Sequence, residues 1–162
     1  PALELYRLYL GEHAAGLPAT GLLFPLSLRS GESEAGRVRT MVGFDEGAGS
    51  LTFVGDIPQG HRARLMRANL DRLIDGAAGA ATTTLSGLLG APAELALLIS
   101  CVGRRMILNQ RVEEEVEAVR QVLGPLPAMV GFYSYGEIAP GVPNARCELH
   151  NQTMTITAFA EA

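Results

Sequence analysis

The stretch AELALLIS, residues 93–100, decides how the rest of the chain is read. Apart from Glu94 and Ser100 it is aliphatic throughout, without the apolar–polar alternation of a strand that has one wet face. It is strand-sized, and a run of this kind is expected to be buried on both faces. Downstream, SCVGRR (residues 100–105) is expected to be a strand end running into a loop, with a tight bend at Gly103 and a fixed cation at Arg104 or Arg105. Asn109 is a good cap for a helix with Val112, Val116, Val119 and Leu123 as its apolar stripe. Glu113 to Glu115 fall in its first turns, where the helix dipole favours acids, and Gly124-Pro125 ends it. Two strands, about 128–138 and 148–159, close the chain.

Upstream, Leu3, Tyr6 and Leu10 in ALELYRLYL (residues 2–10) have helical spacing, and Pro18 is expected to open an extended segment. The run LLFPLSL (residues 22–28) is interrupted by Pro25, which suits an edge strand or covering segment. A polar turn over Ser30 to Gly36 leads into a meander. In its first strand Val38, Thr40, Val42 and Phe44 face one side, and Arg37, Arg39 and Met41 the other. Leu51 to Val54 and a strand around His61 to Arg67 follow. Asn69 then caps a long helix through Leu85, with Leu70, Leu73, Ile74, Ala77 and Ala81 buried. The order is α-β-β-β-α-β-α-β-β: an α+β fold with a mainly antiparallel sheet and helices packed on it.

The 162 residues suit a single domain over 1–162. Hydrophobic residues make up 48% and charged residues 19%, an ordinary globular balance. A net charge of −4 argues against a nucleic-acid partner, and Arg37, Arg39, Arg62 and Arg64 read as a solvated sheet surface. No apolar run approaches the roughly 18 to 20 residues of a membrane span. Two cysteines, Cys101 and Cys147, make no disulfide framework, so a cytoplasmic setting is expected. The chain opens on Pro1 and reads as a piece of a larger protein.

Chemistry concentrates in GFYSYGEIAPGVPNARCELHNQTMTI (residues 131–156). In the last strand Met154, Ile156 and Ala158 alternate with Thr153, Thr155 and Thr157. Carried backwards, that parity puts His150 and Gln152 on the core side, where polar groups need partners. Glu137 and His150 are expected on adjacent strands, pointing into one cavity with Arg104 at its rim.

SCVGRRMIL, the acidic EEEVEAV, GFYSYGEIAP and ELHNQTMTIT together resemble the C-terminal half of the FIST sensory-domain family. LYRLYLGEHAAGLPATGLLFPL and DIPQGHRARLM extend the resemblance over nearly the whole chain. It implies an intracellular bacterial signal-transduction module that binds a small ligand such as an amino acid or other small carboxylate. It also implies an N-terminal FIST half as partner, and output through a histidine kinase, a cyclic-di-GMP enzyme or a chemoreceptor. Some members are haem-based nitric oxide sensors, so haem is the alternative cofactor to none. A structural or protein-interaction half-domain is the third possibility.

The residues themselves allow several chemistries. A nucleophilic Cys101 or Cys147 beside His150 lacks an orienting acid fixed by spacing, so no catalytic residue and no enzyme activity is expected. Zinc on Cys147, His150 and Cys101 lacks a second close pair, and strand spacing turns Cys147 and His150 to opposite faces. Haem ligation needs one imidazole in an apolar pocket, with His150, His61 and His13 as candidates. A zwitterion would take Arg104 as carboxylate clamp and Glu137 as ammonium partner, with Tyr135, His150, Asn151 and Gln152 as neutral hydrogen-bonding groups. Arg104 and Glu137 would otherwise pair structurally and brace the hairpin.

Overall fold

The computed structural model describes residues 1–29, 31, 36–140 and 146–161. The expected turn at 30–36 and the Gly/Pro bend after Pro140 lie largely outside the described residues. Helix α1 (Ala2–Leu10) buries Leu3, Tyr6 and Leu10, the three positions its spacing selects. The Tyr6 hydroxyl donates to the Phe24 carbonyl at 2.7 Å, which ties the helix to the next segment. That segment is not extended from Pro18: it forms 3-10 turns over Gly11–Gly16 and Ala19–Leu23.

Strand β1 (Leu26–Arg29) lies between β2 (Arg37–Arg39) and a later strand, antiparallel to both. The expected edge strand is therefore central. Pro25 sits just before the first strand residue, so its missing N–H costs no ladder bond, while its carbonyl accepts from Met66 N at 2.9 Å. Strand β3 (Met41–Asp45) pairs with β4 (Ser50–Phe53), with a bulge between Met41 and Gly43. Strand β5 (Arg62–Leu65) completes the first sheet, in the order β2-β1-β5. The break at Thr40 and the bulge undo the single alternation expected over 37–44. Arg39, Thr40 and Met41 are buried, whereas Val42 is 49% exposed. Nor do the four arginines form one solvated face. Arg39 donates to the Asp56, Val38 and Leu149 carbonyls, and Arg37 lies 3.2 Å from Glu148.

Helix α2 (Leu70–Gly87) starts where Asn69 Oδ1 accepts from Arg72 N at 3.0 Å. Strand β6 (Leu95–Cys101) follows and passes directly into helix α3 (Val102–Leu108), not into a loop. Asn109 ends α3 rather than capping helix α4 (Val112–Leu123). The buried stripe of α4 is also rotated from expectation: Glu115, Val119 and Leu123 are inside, and Val116 is exposed. Strand β7 (Ala128–Ser134) runs parallel to β6.

The two closing strands become four. Beyond β7 come β8 (Glu137–Pro140), β9 (Cys147–His150) and β10 (Met154–Phe159). The breaks fall at Tyr135-Gly136, and at Asn151-Gln152, where Gln152 has φ 54°. Parity cannot be carried from β10 back to His150 across that positive φ. Strands β8 and β9 form a hairpin, and β10 pairs antiparallel with β6 in a sheet ordered β10-β6-β7. Helices α2 and α4 cover one face of this sheet, packing Ala77, Ala81, Val119 and Leu123 onto Ala96, Leu98 and Met154. The fold is α+β, with mainly antiparallel strand pairing and helices packed against the sheet.

Candidate functional site

Arg104 lies in α3 immediately after the central strand, and it is almost fully buried. Its Nε and Nη2 both lie 2.7 Å from Glu115 Oε2. Nη2 also donates to the Leu73 carbonyl at 2.6 Å, and Nη1 to the Gln152 carbonyl at 3.4 Å. Glu115 Oε1 accepts from Ser100 Oγ at 2.8 Å. One guanidinium thus joins α2, α3, α4 and the turn before β10, and Ser100 adds β6 through the carboxylate. The brace expected between Arg104 and Glu137 is made with Glu115 instead. A signal for this existed in the sequence, since Val112, Glu115, Val119 and Val122 fall at helical spacing.

Glu137 and His150 stand opposite one another in the β8–β9 ladder. Both Glu137 oxygens are engaged inside the protein: Ser134 Oγ donates to Oε1 at 2.6 Å and Thr153 Oγ1 to Oε2 at 2.8 Å. His150 Nε2 is 2.9 Å from the Ala139 carbonyl, and the residue lines a separate cavity against α2. Gln152 Nε2 donates to the Leu22 carbonyl at 2.8 Å. Asn151 Oδ1 accepts from Thr40 N at 3.0 Å, while Nδ2 donates to the His150 carbonyl at 3.0 Å. These side chains stitch the hairpin and the turn after it to the β2–β3 junction at Thr40 and to the 3-10 segment.

Two of the six candidate residues share a pocket. Tyr135, 86% exposed, and the buried Asn151 line a cavity of about 340 Å³ between the 3-10 segment, β3 and the start of α3. Pro18, Ala19 and Leu22 form one wall, Met41, Val42 and Val54 another, and Val102, Gly103 and Met106 a third, with Thr40 and Cys101 deeper. Its size and apolar lining are those of a small-molecule site. Arg104, Glu137, His150 and Gln152 are not among its lining residues. Thr40, Met41 and Met106 had no sequence signal, because the pocket is assembled from segments spread between Pro18 and Asn151.

The remaining reactive groups are placed apart from one another. Burial pushes the Cys101 thiol above its ordinary pKa, only partly offset by backbone hydrogen bonds, so the thiolate is disfavoured. Cys147 is exposed on β9. His13 packs its ring on Phe24 at 5.0 Å, and His61 lines a polar groove with Arg37 and Arg39. Among the described residues no three of His, Cys, Asp and Glu converge as metal ligands would. No helix of the described residues is long and apolar enough to cross a membrane.

Comparison with known proteins agrees with the resemblance. The family model of the FIST C domain matches residues 2–140, most of the chain, and stops short of the LHNQT segment. No curated protein and no solved structure matches the chain.

Proposed function

Because this chain belongs to the FIST C domain family, a family of sensory domains, we propose that it is the C-terminal ligand-sensing half of a signalling protein. The observation that carries this reading is the apolar pocket, with Tyr135 at its mouth and Asn151 and Thr40 deeper in it. The pocket lies between the β3–β4 hairpin and the helix that carries Arg104, so an occupant would bias the packing of one against the other. Output would pass to a partner of the histidine-kinase, cyclic-di-GMP-enzyme or chemoreceptor kind.

The proposed module does no chemistry on its ligand. Its buried thiol is disfavoured as a nucleophile, and His150 is held by a backbone carbonyl. The reading also takes the pocket without haem, since axial ligation needs an imidazole facing it and the three histidines lie along other surfaces.

Thermal denaturation with a panel of small metabolites tests the proposal. A ligand that binds the folded chain raises its melting temperature in a concentration-dependent way. Ala19→Phe, a change at the exposed rim that fills the mouth, is expected to remove that rise. A rise that persists in this variant would place the ligand elsewhere.

A further inference from the structure

We propose that the occupant of this pocket is an uncharged aromatic molecule with a single hydrogen-bonding group directed to Thr40, an inference that rests on the ligand-sensing reading of the pocket given above. The first support is charge. Among the described residues that line the cavity there is no Asp, Glu, Lys, Arg or His, and burial holds Cys101 as a thiol. The neighbouring cations and anion are already spent: Arg39 on three carbonyls, Arg104 on Glu115, Glu137 on Ser134 and Thr153. A zwitterion entering here would give up water around two charges and gain no counter-charge, which is strongly unfavourable.

The second support is a missing hydrogen bond. Thr40 is 5% exposed, lines the pocket, and carries the buried side-chain oxygen that has no partner among the described residues. An unpaired buried hydroxyl is a standing free-energy cost, which a ligand donor or acceptor would recover. A rotation about χ1 to a neighbouring staggered position, which needs no backbone movement, is the step by which the oxygen would be presented to the cavity. The third support is shape chemistry. Met41 and Met106 bring two polarisable thioethers to the walls, and Tyr135 brings a ring to the mouth; both favour an aromatic body.

Indole and L-tryptophan form a matched pair of probes, the second adding an ammonium and a carboxylate to the same ring. The chain contains no tryptophan, so probe emission is read without background. Indole is expected to show saturable, blue-shifted emission, and tryptophan to bind at least about tenfold more weakly. Ala19→Phe should weaken indole by about tenfold or more, with Val42→Phe, half-exposed on another wall, as the second blocking variant if the first does not fold. Thr40→Val should weaken indole about three- to tenfold while melting at the same temperature or higher, because it removes the unpaired hydroxyl. Tryptophan binding as tightly as indole, with both blocked by Ala19→Phe, would overturn the ligand class and leave the sensing pocket standing. Unchanged indole affinity in Thr40→Val would overturn the assigned hydrogen bond, and with it the inference. Indole binding that ignores both blocking variants, or no saturable binding of either probe, would overturn the inference and the pocket reading together.

Discussion

Arg104 shows how a residue expected at a ligand can belong to the framework. Its partner Glu115 is fully buried, and each of that carboxylate's oxygens is engaged, one by Arg104 and one by Ser100. Removing one member of such a pair leaves the other charged and dry, so Arg104→Ala should cost about 3 to 5 kcal/mol. Replacing both by apolar residues of similar volume should recover most of that loss, because the desolvation penalty of the two ions disappears with them. Glu137 has different partners and shares none of its recorded hydrogen bonds with Arg104. Urea denaturation of the Arg104→Met/Glu115→Leu cycle should therefore show strong coupling, and the Arg104/Glu137 cycle additivity within about 0.5 kcal/mol. Equal coupling in the two cycles would mean that Glu137 shares the buried charge balance after all.

Elements bear out the same distinction between what period and what long-range packing decide. The contact between β6 and β7 depends on Gly131: a Cβ there would fall on the Leu98 carbonyl oxygen, well inside contact distance, and backbone cannot swing aside as a side chain can. Gly131→Ala should accordingly destabilise the domain by about 1 to 3 kcal/mol, measured as a lowered urea midpoint with an unchanged slope. A neutral result would mean that β7 slides off its register with β6 at little cost. Where local period was strong, the sequence was a sound guide: α1 with Leu3, Tyr6 and Leu10, the Asn69 cap of α2, and β6 all stand where expected. It misled where a single residue resets the phase. The bulge after Met41 put Val42 on the outside, and the left-handed Gln152 separated His150 from the parity of β10. At the site, the polar cluster around 134–153 was legible as chemistry that needs partners, yet its partners outside the cluster were not, because Leu22 and Thr40 reach it only through tertiary packing.

For the whole molecule, AELALLIS poses a question that the chain alone leaves half answered. The run reads as a strand buried on both faces, and α2 and α4 cover only the face of Ala96 and Leu98. On the other face β6 presents Leu95, Leu97 and Ile99, flanked in register by Val130 and Phe132 of β7 and by Phe159 of β10. Val130 and Phe132 are each 57% exposed and Phe159 is 52% exposed, so large apolar side chains stand together in solvent on a sheet without charge. A contiguous surface of this kind marks an interface. We propose the N-terminal FIST half as its occupant, laid against the sheet as a second layer. Val130→Asp combined with Phe132→Asp puts charge on that face and changes no residue that lines the proposed ligand pocket or hydrogen-bonds to Arg104. The isolated domain should lose no more than about 0.5 kcal/mol per change, as exposed positions do. Co-expressed with the N-terminal half, the unaltered chain should copurify as a complex and the doubly substituted chain should not, because two carboxylates would be buried without partners. A complex that survives both substitutions would move the interface off this sheet, and the open face would then need another occupant.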